Sequence, residues 1–321
     1  MKEKKKSLDI SKLISKYSLV LILIVMLVVC SFANANFLST ANLLNVVKQQ
    51  AVNILLALGA MLLISAGCLD LAAGSIVALS GVVALYAYQK VPNVFIAFLV
   101  AIAIGAMCNI VSGIMVTLFN TPPFIATLAM QLIARGLALY ITGGQNLSGV
   151  GKDLAAVGQE STFGIPNSIY IMLVLFFCVV YITRQTRLGR SIYAVGGNEA
   201  AANGSGINVK AVKMVTYAIN GILTGVAATI YLSRVNGGMP NGAQSYEFDA
   251  MIATIVGGTS FSGGVGSATG TLIGAFIVGF LNNIMNLVGI DSYLQQVVRG
   301  IIIGGAVIWD IHFKNRKTYK K

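Results

Sequence analysis

Few side chains in this chain could carry out acid–base or metal chemistry. The single histidine, His312, follows the last apolar run, and one histidine does not make a metal site. The closest acidic pair is Glu247 and Asp249. The four cysteines lack the paired spacing of zinc or redox sites, and we interpret them as small packing residues; they are Cys30, Cys68, Cys108 and Cys178. The sequence therefore predicts a protein that is not an enzyme.

One polar segment interrupts a largely apolar sequence. Residues 184–207 read RQTRLGRSIYAVGGNEAAANGSGI and include three arginines. A short helix between basic flanks and glycines, at a membrane surface, can transmit movement from a soluble partner. The segment therefore predicts a docking site for such a partner. The alternative is a solvated loop whose arginines only enforce the topology.

The elements that position this segment are those of a membrane protein. Hydrophobic residues make up 56% of the chain, charged residues 10%, and the mean hydropathy is +0.82. At about twenty residues per span, the apolar runs leave room for roughly ten helices. We expect an all-α polytopic membrane protein with one transmembrane domain at residues 17–311. Basic terminal segments flank it at 1–16 and 312–321, and residues 184–211 form its main cytoplasmic loop.

The net charge of +12 is concentrated in three places. Lysines lead the chain from Lys2 to Lys16, basic residues close it from Lys314 onward, and a third cluster runs from Arg184 to Lys213. The positive-inside rule puts all three clusters, and so both termini, on the cytoplasmic side. Because the charge follows the topology in this way, we expect no nucleic-acid partner.

The apolar runs predict about ten helices that start from a cytoplasmic N-terminus. The eighth is too short to span the bilayer alone, and the connection at 143–166 falls outside. The predicted helices are 17–33, 47–66, 71–88, 93–118, 122–142, 167–182, 212–233, 248–257, 267–287 and 293–311.

Two glycine-rich segments resemble each other. MLLISAGCLDLAAG (61–74) and MIATIVGGTSFSGG (251–264) align without gaps, with Gly67 opposite Gly257 and Gly74 opposite Gly264. We interpret them as broken-helix turns of an internal duplication with parallel repeats; chance alignment of glycine-rich segments is the alternative. Broken helices at corresponding positions point to a substrate path. Asp70 lies in the first break, where capping of a helix start is favoured over substrate contact.

Four motifs, in order along the chain, resemble the membrane permeases of ABC importers for ribose, galactose and related sugars. The first is GCLDLAAGS at 67–75, and the second is NTPPFIATLAMQLIARGLAL at 120–139. The third is the polar segment at 184–207, and the fourth is FDAMIATIVGGTSFSGGVGSATGTLIGA at 248–275. Residues 270–303 look most like ribose permeases, whereas FSGGVG together with GGN is closer to galactose permeases.

The resemblance implies that the polar segment docks on the ATP-binding subunit. Three parts of the family pattern are matched here. The residues that lead into the loop match at Arg187, Gly189 and Arg190, the GGN turn at Gly196, Gly197 and Asn198, and the docking helix at Ala201, Ala202, Ser205 and Gly206. Glu199 stands one residue earlier than the glutamate of the pattern. Ala200 stands where the family has its glutamate. Gly204, inside the docking helix, costs on the order of 1 kcal/mol relative to alanine. We expect this helix to be frayed until its partner binds.

The resemblance also implies alternating access in a bacterial cytoplasmic membrane. A sugar-loaded extracytoplasmic binding protein docks outside, ATPase subunits close inside, and two copies of this chain move in the bilayer. ATP and Mg belong to the ATPase subunit, and no cofactor is expected here, because no G-x-x-x-x-G-K-[ST] loop is present. The alternative is a secondary sugar or nucleoside carrier without an ATPase. Proton-coupled carriers usually need acidic or histidine relays in their helices, which are few here.

A neutral sugar needs neutral hydrogen-bonding groups along its path. The candidates for the translocation path are Asp70, Asn109, Phe124 (as a hydrophobic gate), Gln131, Asn220, Asn282 and Asn283. Arg135 and Arg299 lie toward helix interiors, and we expect them to pair with Glu247, Asp249 or Asp291. The outer segments 143–166 and 235–247 are expected to receive the binding protein.

Overall fold

The computed structural model describes the backbone of residues 10–318. Side chains are described from residue 18 to residue 308 and at 310 and 312. Lys2 and the rest of 1–9, the basic residues that begin at Lys314, and residues 319–321 lie outside the described side chains. The cytoplasmic location of these terminal clusters therefore stays a prediction.

The described chain is helical along most of its length. Its helices are α1 Ile10–Ala33, α2 Thr40–Ser65, α3 Ala73–Lys90, α4 Val94–Thr117, α5 Pro123–Thr142, α6 Lys152–Gln159, α7 Asn167–Gln185, α8 Arg187–Gly197, α9 Glu199–Gly204, α10 Val209–Val235, α11 Tyr246–Val256, α12 Ala268–Leu287 and α13 Ser292–Thr318. Two short strands, β1 Ser161–Thr162 and β2 Ile165–Pro166, form an antiparallel hairpin with Ser161 opposite Pro166.

Each predicted helix has an observed counterpart, and the all-α polytopic class is confirmed. Among the described residues, six helices are long and apolar enough to cross a membrane: α2, α4, α5, α7, α10 and α12. α11 has 11 residues, so at 1.5 Å per residue it reaches about 16 Å, roughly half of a bilayer core. α2 begins at Thr40 rather than at residue 47. Ser39 caps it by accepting from the Asn42 N–H, which apolar patterning does not register.

α10 lies at the centre of the fold, packed against α2, α3 and α4. Its closest neighbour is α4, because glycines on both helices allow the backbones to touch. A methyl group on Gly221 would lie 2.5 Å from the carbonyl oxygen of Gly105. In a membrane, such close approach replaces the hydrophobic drive that brings helices together in water. α2 and α10 are buried along most of their length, whereas α4, α5 and α7 expose broad apolar faces.

Side-chain contacts separate two ends of the molecule. At one end, Lys48 Nζ donates to the Gln159 carbonyl (2.9 Å), and Gln89 donates to that of Ser148 (2.7 Å). At the other end, Tyr193 donates to the Gly266 carbonyl, 3.1 Å away. α2 connects Lys48, in its first half, to Ser65, its last residue, and the Ser65 carbonyl lies beside Gly196 of the polar segment. The connection that contains α6 and the polar segment that contains α8 and α9 therefore lie at opposite ends of α2, as the predicted order of crossings requires.

Candidate functional site

The polar segment folds into two short helices rather than one. α8 begins where the Thr186 hydroxyl accepts from the Gly189 N–H, 3.2 Å away. Its inner face buries Gly189, Ile192 and Val195, whereas Arg184, Arg187 and Arg190 are all exposed. The segment therefore offers three guanidinium groups to solvent while its apolar side is fixed to the helix bundle.

The predicted GGN turn is corrected by the structure. Gly196 and Gly197 are the last two helical residues of α8, and the chain bends only at Asn198. The Asn198 side chain accepts from the Ala201 N–H at 2.9 Å and so caps α9. Gly196 is needed for close backbone approach and not for a turn conformation, because its φ is not positive.

α9 contains Ala201 and Ala202 of the predicted docking residues, and Ser205 and Gly206 follow it as its cap. Ala202 faces inward, whereas Ala200, Ala201 and Asn203 are exposed. Gly206 ends the helix in a left-handed conformation (φ 83°), and the Ile207 N–H donates to the Ala202 carbonyl at 3.1 Å. A partner would therefore meet a surface of small side chains. Fraying of this helix before docking stays a prediction.

We expect Gly204→Ala to stabilise α9 by about 1 kcal/mol, because alanine loses less backbone entropy on helix formation. The position has room: no atom lies within 4 Å of an added Cβ, and its φ is not positive. The measurement is amide hydrogen exchange of residues 199–204 in detergent. Gly206→Ala is the matched control, and its left-handed φ should make the same change destabilising. Equal exchange in both variants would contradict the prediction.

An ion pair connects α9 to α10. Lys213 Nζ lies 2.7 Å from Glu199 Oε2, and the Lys213 side chain is only 12% exposed. The glutamate that stands one residue early in the motif thus has a defined partner in the membrane domain. Because the Glu199 side chain is 60% exposed, water screens the pair and its contribution to stability is at most about 1 kcal/mol.

The end of α8 is wedged between the two glycine-rich breaks. A methyl group on Gly196 would overlap the Ser65 carbonyl oxygen and lie 2.7 Å from the Gly264 nitrogen. The two breaks also contact each other, because the Gly264 N–H donates to that Ser65 carbonyl at 3.0 Å. Three of the four motif segments therefore meet at one point, which we call the glycine junction (Ser65, Gly67, Gly196, Gly263 and Gly264).

The two breaks share a helix cap but not the predicted alignment. α2 ends with Gly67 in the left-handed region (φ 73°), and α11 ends with Gly258 there (φ 88°). In both, the next residue donates back to the helix: Cys68 to the Leu63 carbonyl and Thr259 to that of Thr254. Gly67 therefore corresponds to Gly258 and not to Gly257. This cap is common at helix ends in general, so it does not establish a duplication.

Three of the predicted path residues form one buried network. Asn220 Nδ2 lies 2.6 Å from Asp70 Oδ2 and 2.7 Å from Asn109 Oδ1. Asp70 Oδ1 also accepts from the Ala72 N–H at 2.7 Å, which secures the turn before α3. All three side chains are at most 5% exposed. In this conformation the network connects α3, α4 and α10 and has no open face toward a solute.

The other path candidates lie in two further places. Phe124 is 52% exposed on α5, and Gln131 is partly exposed on the same helix. Asn282 donates to Asp249 at 3.2 Å, and Asn283 donates to Asn42 at 2.8 Å. The structure thus does not bring all of the candidates together.

Of the two arginine pairings expected, the structure contains one. Arg299 Nε lies 3.1 Å from Asp249 Oδ1. Arg135 instead donates to the carbonyl oxygens of Pro240 (2.6 Å) and Gly242 (2.9 Å), because a non-helical stretch passes beside it. Asp291 accepts from the Tyr293 N–H at the start of α13.

The two outer segments, 143–166 and 235–247, contain three carboxylates that could pair with basic residues of a binding protein, and the structure leaves only some of them available. Glu247 is 5% exposed and cannot meet a partner protein in this conformation. Asp153 accepts a hydrogen bond from the Tyr88 hydroxyl, which lowers the pKa of that carboxyl. Glu160 is exposed. At the tip of the hairpin, Phe163 is 96% exposed, a feature that apolar patterning did not single out.

This chain is similar to known transport permeases along most of its length. The sequence profile of the family described as "Branched-chain amino acid transport system / permease component" matches residues 42–307. The ribose import permease of Haemophilus influenzae is 36% identical over 321 residues, covering 99% of both chains. That of Escherichia coli K12 is 39% identical over 292 residues, covering 90% of this chain and 91% of the relative. The galactose/methyl galactoside import permease of the same organism is 32% identical over 308 residues, covering 90% and 92%.

Proposed function

The chain belongs to this permease family, and we propose that it is the membrane subunit of an ABC importer that carries a monosaccharide, ribose first, into the cell. The observation that carries the proposal is the full-length similarity to ribose import permeases, 36–39% identical over at least 90% of this chain. A galactose-type sugar or another pentose is the next candidate. The subunit is not an enzyme, and it moves solute by alternating access.

α8 and α9 are proposed to dock on the ATP-binding subunit. The exposed Arg187 and Arg190 and the small exposed face of α9 support this role. ATP and Mg bind to that partner, and this chain supplies contacts rather than phosphate chemistry. Through the glycine junction, a push on α8 reaches the ends of both α2 and α11 without an intervening side chain.

We further propose ten membrane crossings with both termini in the cytoplasm. α1 and α13 contain shorter apolar stretches, Ser18–Ala33 and Ser292–Ile308, and the non-helical residues 236–245 begin the crossing that α11 completes. The contacts that put α6 and α8 at opposite ends support this count. An internal duplication stays a proposal limited to the ends of α2 and α11, whose shared cap supports it.

The outer partner is proposed to be a sugar-binding protein that lands on the α6 side, where Glu160 and Phe163 are exposed. A second copy of this chain is proposed to pack against α5 and α13. Gly136, Gly300 and Gly304 support this arrangement, because an added methyl group at each would have no neighbour within 4 Å. Phe124 and Gln131 on α5 would then face the path between the copies, whereas Asp70, Asn109 and Asn220 hold the helices together.

We expect ATP-dependent uptake of labelled ribose by proteoliposomes that contain this chain, its ATP-binding subunit and its binding protein. Omitting either partner should abolish uptake, because this chain has no ATP site and takes its substrate from the binding protein. Galactose is measured in parallel to rank the two sugars. Uptake by this chain alone, driven by an ion gradient, would replace the importer with a secondary carrier.

A further inference from the structure

A small cavity opens between α11 and α13. Its volume is about 240 Å³, the space of roughly eight waters at about 30 Å³ each. This volume suits one small polyol and not a larger ligand. The cavity is lined by Ser245, Phe248, Gln296, Arg299, Gly300 and Ile303.

In the proposed ten-crossing arrangement, the polar groups of this cavity lie within the membrane. Arg299 is seven residues after Ser292, the first residue of α13, so it lies about 10 Å below that end of the helix. The stretch before α11, residues 236–245, is non-helical and ends at the cavity residue Ser245. Arg135 donates to two carbonyl oxygens of this stretch. Exposed polar side chains and free backbone at such depth are tolerated against a water-filled cavity and not against lipid.

The hydrogen-bonding capacity of the cavity is unused within the part of the chain that the structure describes. There, the Ser245 hydroxyl and the Gln296 amide form no hydrogen bond, and of the Arg299 guanidinium only Nε has a partner, Asp249. Ser245 holds a left-handed conformation (φ 66°), which is costly for a residue other than glycine. Phe248 exposes 39% of its surface beside these groups.

We infer that this cavity is a sugar subsite on the outer part of the translocation path. The inference rests on the proposed function and assigns a binding place to it. Donors and acceptors on Ser245 and Gln296 suit ring hydroxyls, and the exposed Phe248 ring suits the apolar face of a sugar. Asp249 already balances the charge of Arg299, so the cavity fits a neutral ligand better than an anion.

The first test is accessibility from water. In a Cys178→Ser background, whose remaining cysteines are buried, Gln296→Cys should react with a membrane-impermeant thiosulfonate reagent added from the outer side. Val297→Cys is the matched control: Val297 is 56% exposed, lies next to Gln296 and does not line the cavity. At least tenfold faster labelling of Gln296→Cys is expected. Equal rates would overturn the inference.

The second test is transport in the complete complex. Ser245→Gly removes the hydroxyl while it relieves the backbone strain, so loss of uptake cannot come from strain. We expect uptake at low ribose concentration to fall about fivefold to tenfold in this variant and in Gln296→Ala, and to stay unchanged in Val297→Ala. Wild-type rates in both cavity variants would overturn the subsite alone. Failure of the wild-type complex to take up sugar would overturn the proposed function, and the labelling test would still decide whether the cavity is open to water.

Discussion

Replacing Gly196 with alanine is expected to abolish ATP-driven uptake, although alanine is the better helix former. At an open helical position the change would stabilise by about 1 kcal/mol. At Gly196 the added methyl group overlaps the Ser65 carbonyl oxygen and crowds the Gly264 nitrogen. Because both neighbours are backbone atoms, the helix ends must separate, and the Gly264-to-Ser65 hydrogen bond is lost with them. Overpacking of this kind costs typically 1–3 kcal/mol or more.

Gly197→Ala is the matched control for this prediction. An added Cβ at Gly197 meets nothing closer than the Gly264 Cα at 3.9 Å, an ordinary van der Waals contact. This variant should therefore keep uptake and raise the thermal unfolding midpoint slightly. Tyr193→Phe is a second control: it removes the hydrogen bond to Gly266 without adding volume at the glycine junction, and uptake should persist in this variant. If Gly196→Ala transports at the wild-type rate, the junction does not connect the two breaks to α8.

The helices could be predicted from the sequence because apolar runs of membrane length have few alternatives. The internal arrangement of the polar segment could not. Its GGN residues read equally well as a turn or as a helix end, and the choice depends on Ser65 and Gly264, which are far away in sequence. The same limit explains why the sequence aligned Gly67 with Gly257 rather than with Gly258. The two neighbouring glycines differ only in the backbone conformation that the fold gives them.

The candidate path shows a second limit of sequence reasoning. The sequence predicts Asn109 and Asn220 as path residues because a neutral sugar needs neutral hydrogen-bonding groups, whereas in the structure Asn220 donates to Asp70 and to Asn109. Asp70 is 150 positions from Asn220 along the chain, so no local pattern could distinguish an amide that binds another helix from one that faces a solute. The sequence did not single out Ser245 and Gln296 as path candidates. Nothing in the residues next to them along the chain indicates that this hydroxyl and this amide lack a hydrogen-bond partner in the fold.

Asn220→Ala is expected to give the largest loss of stability among the amide variants. The change removes the donor to Asp70 Oδ2 and the donor to Asn109 Oδ1, and it leaves both acceptors buried. Each buried acceptor without a partner costs about 1–3 kcal/mol, so we expect a loss of about 3 kcal/mol or more. The vacated space beside Gly59, which the Asn220 side chain now fills, adds a cavity cost. The free energy of unfolding in SDS measures the effect.

A double-mutant cycle with Asp70→Asn assigns the loss to the network. An amide at position 70 is less costly to bury without a partner than a carboxyl group, so adding Asp70→Asn to Asn220→Ala should recover part of the stability. Asn283→Ala is the comparison: it removes the two hydrogen bonds that Asn283 and Asn42 exchange in a partly buried pair, and a loss of about 1–2 kcal/mol is expected there. Additive losses in the cycle would show that Asp70 and Asn220 act independently. A large coupling would mean that the Asp70–Asn220 contact itself stabilises the packing of the first break against α10, in addition to the packing of α3 on α4 and α10.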